Sequence, residues 1–151
     1  MVQAAPPLWR NVGTNLRDGV LMTMAILPSI LSIGLLGLVL ATYTPVFDWL
    51  GYLFVPFTWA LQLPEPLLVG KAVAVGIAEM FLPALLVTSA VPVVKFVVAV
   101  VAVSQIIFFS ALVPCVVATD IPVSIPQLVV VWLERVVLTL VLVTPLAFLL
   151  F

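Results

Sequence analysis

Histidine is absent from this 151-residue sequence, and cysteine occurs once, at Cys115. The chain therefore lacks the usual imidazole base, the usual ligands of zinc and haem, and a partner for an intrachain disulfide. Charge is equally scarce, because 7% of the residues are charged against about 25% in a typical soluble domain. This composition excludes a soluble globular protein, and a net charge of −1 offers no basic surface for nucleic acid. We expect no enzyme activity, no metal and no cofactor.

What the sequence contains is apolar: 66% of the residues are hydrophobic, and the mean hydropathy is +1.45. A helix needs roughly 20 apolar residues to cross a bilayer core of about 30 Å. Four stretches reach this length: Val20–Tyr43, Leu67–Ala90, Phe96–Thr119 and Pro126–Phe151. The sequence predicts an all-α, polytopic membrane bundle of about four transmembrane helices, some broken at prolines, with membrane lipid as a partner.

An aromatic-rich segment lies between the first two spans, from Pro45 to Pro66. Its aromatic residues are Phe47, Trp49, Tyr52, Phe54, Phe57 and Trp59. Trp and Tyr gather at membrane–water interfaces, where one end of the ring is wet and the other apolar. We predict an interfacial or re-entrant helix broken at Pro56, with a short fifth span as the alternative.

The first 17 residues are more polar and suit a tail or an interfacial helix, followed by a single transmembrane domain over residues 18–151. Arg10 and Arg17 precede the first span, and positively charged flanks favour the cytoplasmic side. Four spans would then place both termini in the cytoplasm. The stretch Leu67–Ala90 carries charges, so a re-entrant hairpin is the alternative to one crossing.

A few polar side chains fall inside the predicted spans. At a rise of 1.5 Å per residue, Glu79, Gln105 and Arg135 all lie near the bilayer midplane. Polar residues at this depth usually face the bundle interior or water, so these three and Ser110 are candidate substrate-binding residues. The structural alternative is that Glu79 and Arg135 form a buried ion pair that holds two helices together.

Two prolines add support to the predicted binding site. Pro83 and Pro114 are predicted helix breaks, because a proline leaves the carbonyl four residues earlier without its helical donor. Those carbonyls belong to Glu79 and Ser110. Interrupted helices near the midplane supply the binding groups of many secondary transporters.

Small residues at Gly70, Ala74 and Ala78 repeat every four positions, a spacing that favours close helix packing. With only four spans to enclose a midplane site, we expect a homo-oligomer or association with a related subunit.

Two segments carry a resemblance to a known family: EMFLPALL at Glu79–Leu86 and SALVPC at Ser110–Cys115. With their surroundings, over roughly residues 18–150, they resemble the nucleoside recognition (Gate) domain family of small bacterial inner-membrane proteins, often described as YjiH-like. The resemblance implies kinship with concentrative nucleoside transporters. It implies a multi-pass inner-membrane protein that serves as a Gate-domain subunit of a transporter for a nucleoside-like or other small polar solute. The alternative is a non-transporting assembly protein whose buried polar residues serve helix packing.

Overall fold

The computed structural model describes residues 8–117 and 122–151. Within these ranges all regular structure is helical, and no strand occurs. The helices are α1 (Leu8–Tyr43), α2 (Val46–Tyr52), α3 (Val55–Ala60), α4 (Pro66–Val75), α5 (Leu82–Leu86), α6 (Pro92–Gln105), α7 (Leu112–Val117) and α8 (Ile125–Leu150). The predicted all-α class is confirmed.

Two helices are long and apolar enough to cross a membrane: α1, with 36 residues, and α8, with 26. Their lengths are about 54 and 39 Å at 1.5 Å per residue. They coincide with the first and last predicted spans, but α1 begins at Leu8 and so includes residues 8–17 of the predicted tail. Residues 1–7 of that tail lie outside the described part of the chain.

The two long helices differ in how they contact the rest of the molecule. In α1 only Gly37 and Ala41 are buried. α8 buries a stripe at every fourth position, which packs mainly against α6 and consists of Leu128, Trp132, Val136, Leu140 and Thr144, with Ala147 at its end. A helix with one buried stripe leaves its other faces for lipid or a partner.

The two middle spans are interrupted. Leu67–Ala90 contains α5 and all of α4 except Pro66. Phe96–Thr119 contains most of α6 and all of α7, with Thr119 outside the described residues. α4 is about 15 Å long and α6 about 21 Å, so neither crosses a bilayer core alone.

The interruptions precede the prolines that were expected to cause them. α4 ends at Val75 and α6 at Gln105, whereas Pro83 is the second residue of α5 and Pro114 the third of α7. Proline is well placed in a first turn, because an N–H there has no acceptor within the helix. The prolines therefore begin the second helices rather than kink continuous ones.

The prediction of a free carbonyl at Glu79 assumed that Pro83 lies inside a continuous helix, and it fails for the same reason. Because Pro83 lies in the first turn of α5, the Glu79 carbonyl is outside the helix and accepts the Leu82 N–H at 3.4 Å. The prediction that Pro83 leaves this carbonyl unpaired is wrong.

The aromatic segment forms two short helices, α2 and α3, and Pro56 lies in the first turn of α3. α4 then runs back antiparallel along them. The Lys71 Nζ lies 2.9 Å from Asp48 Oδ1, and near the turn the Thr58 hydroxyl donates to the Pro66 carbonyl at 3.1 Å. Residues 46–75 are thus a helical hairpin.

Glycines bring the two sides of this hairpin together. A Cβ added to Gly51 would lie 2.8 Å from the Lys71 backbone nitrogen, and one added to Gly70 would lie 2.7 Å from the Gly51 carbonyl oxygen. Ala78, from the same predicted small-residue stripe, faces Gly37 of α1, where an added Cβ would lie 3.1 Å from its Cβ. The stripe is therefore occupied by contacts within the chain.

Candidate binding site

The two helix interruptions meet each other. We call residues 76–81 the first interruption and residues 106–111 the second interruption. The Phe109 N–H donates to the Ile77 carbonyl at 2.8 Å, and the Ser110 N–H donates to the Ala78 carbonyl at 3.1 Å. Backbone groups that a broken helix leaves free must find partners inside a protein, and here each interruption supplies them to the other.

The second interruption begins with an unfavourable backbone conformation. Ile106 has φ 44°, in the left-handed region that β-branched residues rarely adopt. The Ile107 N–H donates to the Gln105 carbonyl at 2.6 Å across this turn, and the Ile107 side chain is buried. Packing on both sides of Ile106 therefore holds the chain in this turn.

Gln105, the last residue of α6, is fully buried. Its Oε1 accepts the indole N–H of Trp132 at 3.0 Å. Because an indole nitrogen only donates, this bond fixes the orientation of the amide. The Nε2 group then points away from Trp132 and has no hydrogen-bond partner.

Ser110 presents a second buried polar atom without a partner. Its backbone N–H is bonded to Ala78, but its hydroxyl is enclosed and makes no hydrogen bond. Across residues 8–117 and 122–151, Gln105 Nε2 and Ser110 Oγ are the two buried side-chain atoms in this state. Buried polar groups are nearly always paired, so two in one short segment call for an explanation.

Glu79 adds a carboxylate to the same region. It is 6% exposed and follows Ala78, whose carbonyl receives the Ser110 N–H. Its Oε2 accepts the Phe81 N–H at 2.7 Å, and a Cβ added to Gly34 of α1 would lie 3.5 Å from its Cγ. The interruptions thus bring three of the predicted residues, Glu79, Gln105 and Ser110, into one neighbourhood.

Arg135, the fourth predicted residue, has a different place. It is exposed on α8, and its Nε and Nη2 donate to the Ser104 carbonyl at 2.9 and 2.7 Å. That carbonyl lies at the C-terminal end of α6, where helical carbonyls lack donors and a positive charge is favourable. Arg135 therefore caps the interrupted helix.

The alternative of a Glu79–Arg135 ion pair is wrong for this structure, because Arg135 is turned toward Ser104. Among the residues the structure describes, the ion pair is the one between Lys71 and Asp48. Those residues contain no group of three or more His, Cys, Asp or Glu that could hold a metal ion.

Trp132 is the functional residue that the sequence reasoning missed. Besides orienting Gln105, its ring packs edge-on against Phe54, with centroids 5.6 Å apart and planes at 87°. It lies inside a predicted span, whereas tryptophan in membrane proteins favours the interface. The position of Trp132 inside a span is the sequence signal that could have predicted a buried hydrogen bond from its indole N–H.

Fold and site together describe a helical protein with two candidate membrane-spanning helices, and with two unpartnered buried polar atoms and a buried carboxylate near two paired interruptions. No family profile matches the chain, and no solved structure matches it. An uncharacterized protein of Alkalihalophilus pseudofirmus is 36% identical over 117 residues, which cover 76% of this chain and 25% of that protein. The chain thus spans about a quarter of the length of this relative.

Proposed function

We propose that this chain is a multi-pass protein of the bacterial inner membrane and a Gate-type subunit of a transporter for a nucleoside-like or other small polar solute. The observation that carries the proposal is the pair of unpartnered buried atoms, Gln105 Nε2 and Ser110 Oγ, at the interruptions. A polar solute would supply the hydrogen bonds that the protein leaves unmade.

The chemistry of the cluster suits such a solute. Gln105 Nε2 donates, the Ser110 hydroxyl donates or accepts, and the Glu79 carboxylate accepts. A nucleoside carries acceptors on its base and hydroxyl donors on its sugar, so it can engage all three. The short resemblance at Glu79–Leu86 and Ser110–Cys115 supports the same solute class.

Solute transport can be tested in proteoliposomes with radiolabelled uridine and adenosine. We expect Glu79→Gln and Ser110→Ala to reduce uptake at least about tenfold, as expected for loss of a charged or buried hydrogen-bond partner. The unfolding temperature should change little, because neither group has a structural ion pair. Thr144→Val is the matched control: it removes a buried hydroxyl that is already bonded to the Leu140 carbonyl at 2.7 Å, so uptake should persist.

Two results would reject the transport proposal. One is a wild-type protein that inserts into liposomes but neither binds nor transports these solutes. The other is uptake that survives in both Glu79→Gln and Ser110→Ala. If the same two variants instead prevent assembly, the alternative of a non-transporting assembly protein is supported.

For the topology we propose four passages: α1, α4 with α5, α6 with α7, and α8. The positively charged start of α1 supports a cytoplasmic N-terminus, and an even number of passages returns the C-terminus to the same side. Reporter fusions after residues 17, 65, 93, 122 and 151 test this arrangement. If the fusions at 65 and 93 report the same side, residues 66–90 form a re-entrant hairpin and the chain crosses three times.

A further inference from the structure

α8 carries a carboxylate on the side that faces away from the rest of the chain. Glu134 lies two residues from Trp132 and two from Val136, both buried, so it is about 200° around the helix from each. Its side chain is exposed, and its carboxylate makes no hydrogen bond or ion pair with the residues the structure describes. We call its surroundings the Glu134 face; they comprise Glu134 and three exposed apolar residues, Val130, Leu138 and Val141.

The depth of Glu134 makes this exposure unfavourable in a membrane. The residue lies about 14 Å along α8 from Ile125, close to the middle of a bilayer core of about 30 Å. This step rests on the membrane location proposed above. Carboxylates at such depth face a bundle interior, water or a basic partner, because exposing the charge to lipid is unfavourable. A cover that carries positive charge at the same depth would satisfy the Glu134 face.

The chain itself contains such a charge. Arg135 is the next residue, is also exposed, and uses Nε and Nη2 to bind the Ser104 carbonyl, which leaves Nη1 for another acceptor. When two copies pack with parallel α8 helices about a two-fold axis along the membrane normal, residues of the same number lie at the same depth. Glu134 then lies within about 1.5 Å in depth of the partner's Arg135.

We propose that a second copy of this chain covers the Glu134 face, with Glu134 of each copy paired to Arg135 of the other. A two-fold contact is self-complementary, so the rotation axis repeats each pairing in the other copy. Both Glu134 carboxylates are therefore removed from lipid together. The apolar side chains above and below supply the surrounding contact. This surface is separate from the small-residue stripe, which is buried within the chain.

A charge-reversal experiment tests the pairing in nanodiscs with two differently tagged copies. Glu134→Arg alone places arginine against arginine in a homodimer, and Arg135→Glu alone places glutamate against glutamate. Each should raise the dimer dissociation constant at least about tenfold. A mixture of the two variants restores both ion pairs, so the mixed dimer should form with nearly the wild-type dissociation constant. Photobleaching counts and two-tag purification measure the two homodimers and the mixed dimer.

Arg135→Glu also loses the cap on α6, so Arg135→Gln serves as its control for folding. A second measurement does not depend on Arg135. In a Cys115→Ala background, Leu138→Cys should form a disulfide between copies in the membrane, and Glu134→Arg should suppress it. Leu16→Cys, at an exposed position of α1, should not cross-link.

The proposal is overturned if the membrane-resident wild type is monomeric or if both charge-reversal variants self-associate like the wild type. It is also overturned if the wild-type chain pairs only with a different protein. These failures are distinct from failure of the proposed function. A membrane-resident monomer that still takes up solute rejects only the pairing, whereas a protein extracted by alkaline carbonate rejects the membrane location on which both proposals rest.

Discussion

Replacing Gly76 with alanine probes the contact between the first interruption and Gln105. A Cβ at this position would overlap Gln105 Nε2 and would lie 2.7 Å from Oε1 and 2.8 Å from Cδ. Gly76 has φ −58° and ψ −23°, a conformation that alanine adopts freely, so the substitution brings no backbone strain. Its whole effect comes from this clash.

The clash cannot be relieved cheaply. Gln105 is fully buried and held by the Trp132 indole, so it must either give up that hydrogen bond or push α4 and α6 apart. Overpacking costs about 1–3 kcal/mol and a lost hydrogen bond about 1 kcal/mol. We expect Gly76→Ala to lower the free energy of unfolding by about 1–3 kcal/mol, a range that covers either response, which corresponds to roughly 3–10 °C in unfolding temperature for a chain of this size.

Thermal unfolding of the purified protein measures this shift, with Gly19→Ala as the control. An added Cβ at Gly19 meets nothing within 4 Å, so alanine there should be neutral or stabilising by up to about 1 kcal/mol. In Gly76→Ala with Gln105→Ala the clash is absent, and the loss should be smaller than the sum of the single losses. Equal unfolding temperatures for Gly76→Ala and Gly19→Ala would refute the close packing of Gly76 against Gln105.

Two further predictions concern the same region. Trp132→Phe keeps the ring contact with Phe54 but removes the N–H that bonds to Gln105 Oε1. The free energy of unfolding should therefore fall by about 1–3 kcal/mol. An unchanged denaturation midpoint would contradict that hydrogen bond. Ile106→Gly relieves the positive φ at a half-exposed side chain and should leave stability equal or higher, whereas Ile107→Gly empties a buried position and should lower it by several kcal/mol.

The long helices were predictable because their signal is local. An uncharged run from Gly19 to Phe47 predicts the end of α1 at Tyr43, and an apolar C-terminal run predicts α8 to within one residue at each end. α1 begins at Leu8, twelve residues before the predicted span, because that span was bounded by hydropathy and residues 8–17, which include Arg10 and Arg17, are too polar to count toward it. The positions of the interruptions were predicted from prolines alone and fell several residues late, since Val75 and Gln105 end their helices through tertiary contacts.

The candidate site was likewise predictable only in part. Depth along the predicted spans placed Glu79, Gln105 and Arg135 near one level, and Ser110 was a further candidate; in the structure the Ser110 N–H bonds to the carbonyl of Ala78, the residue before Glu79. Depth does not give the angle around a helix, however, and Arg135 points to the end of α6 instead. The Lys71–Asp48 pair depends on the hairpin turn at residues 61–65. Pro64 and Pro66 mark a turn there, but they do not give the register that joins the two side chains.

The hydrogen bonds from Phe109 to Ile77 and from Ser110 to Ala78 make the two interruptions one mechanical unit. If either stretch refolds into continuous helix, it removes the backbone partners of the other, so neither can straighten alone. The amide protons of Phe109 and Ser110 should consequently exchange with solvent together, through a single cooperative opening that also releases the residues around Glu79. A solute bound at this junction would slow that opening, and a movement of α6 would be transmitted to α4 through these bonds without any change in α5.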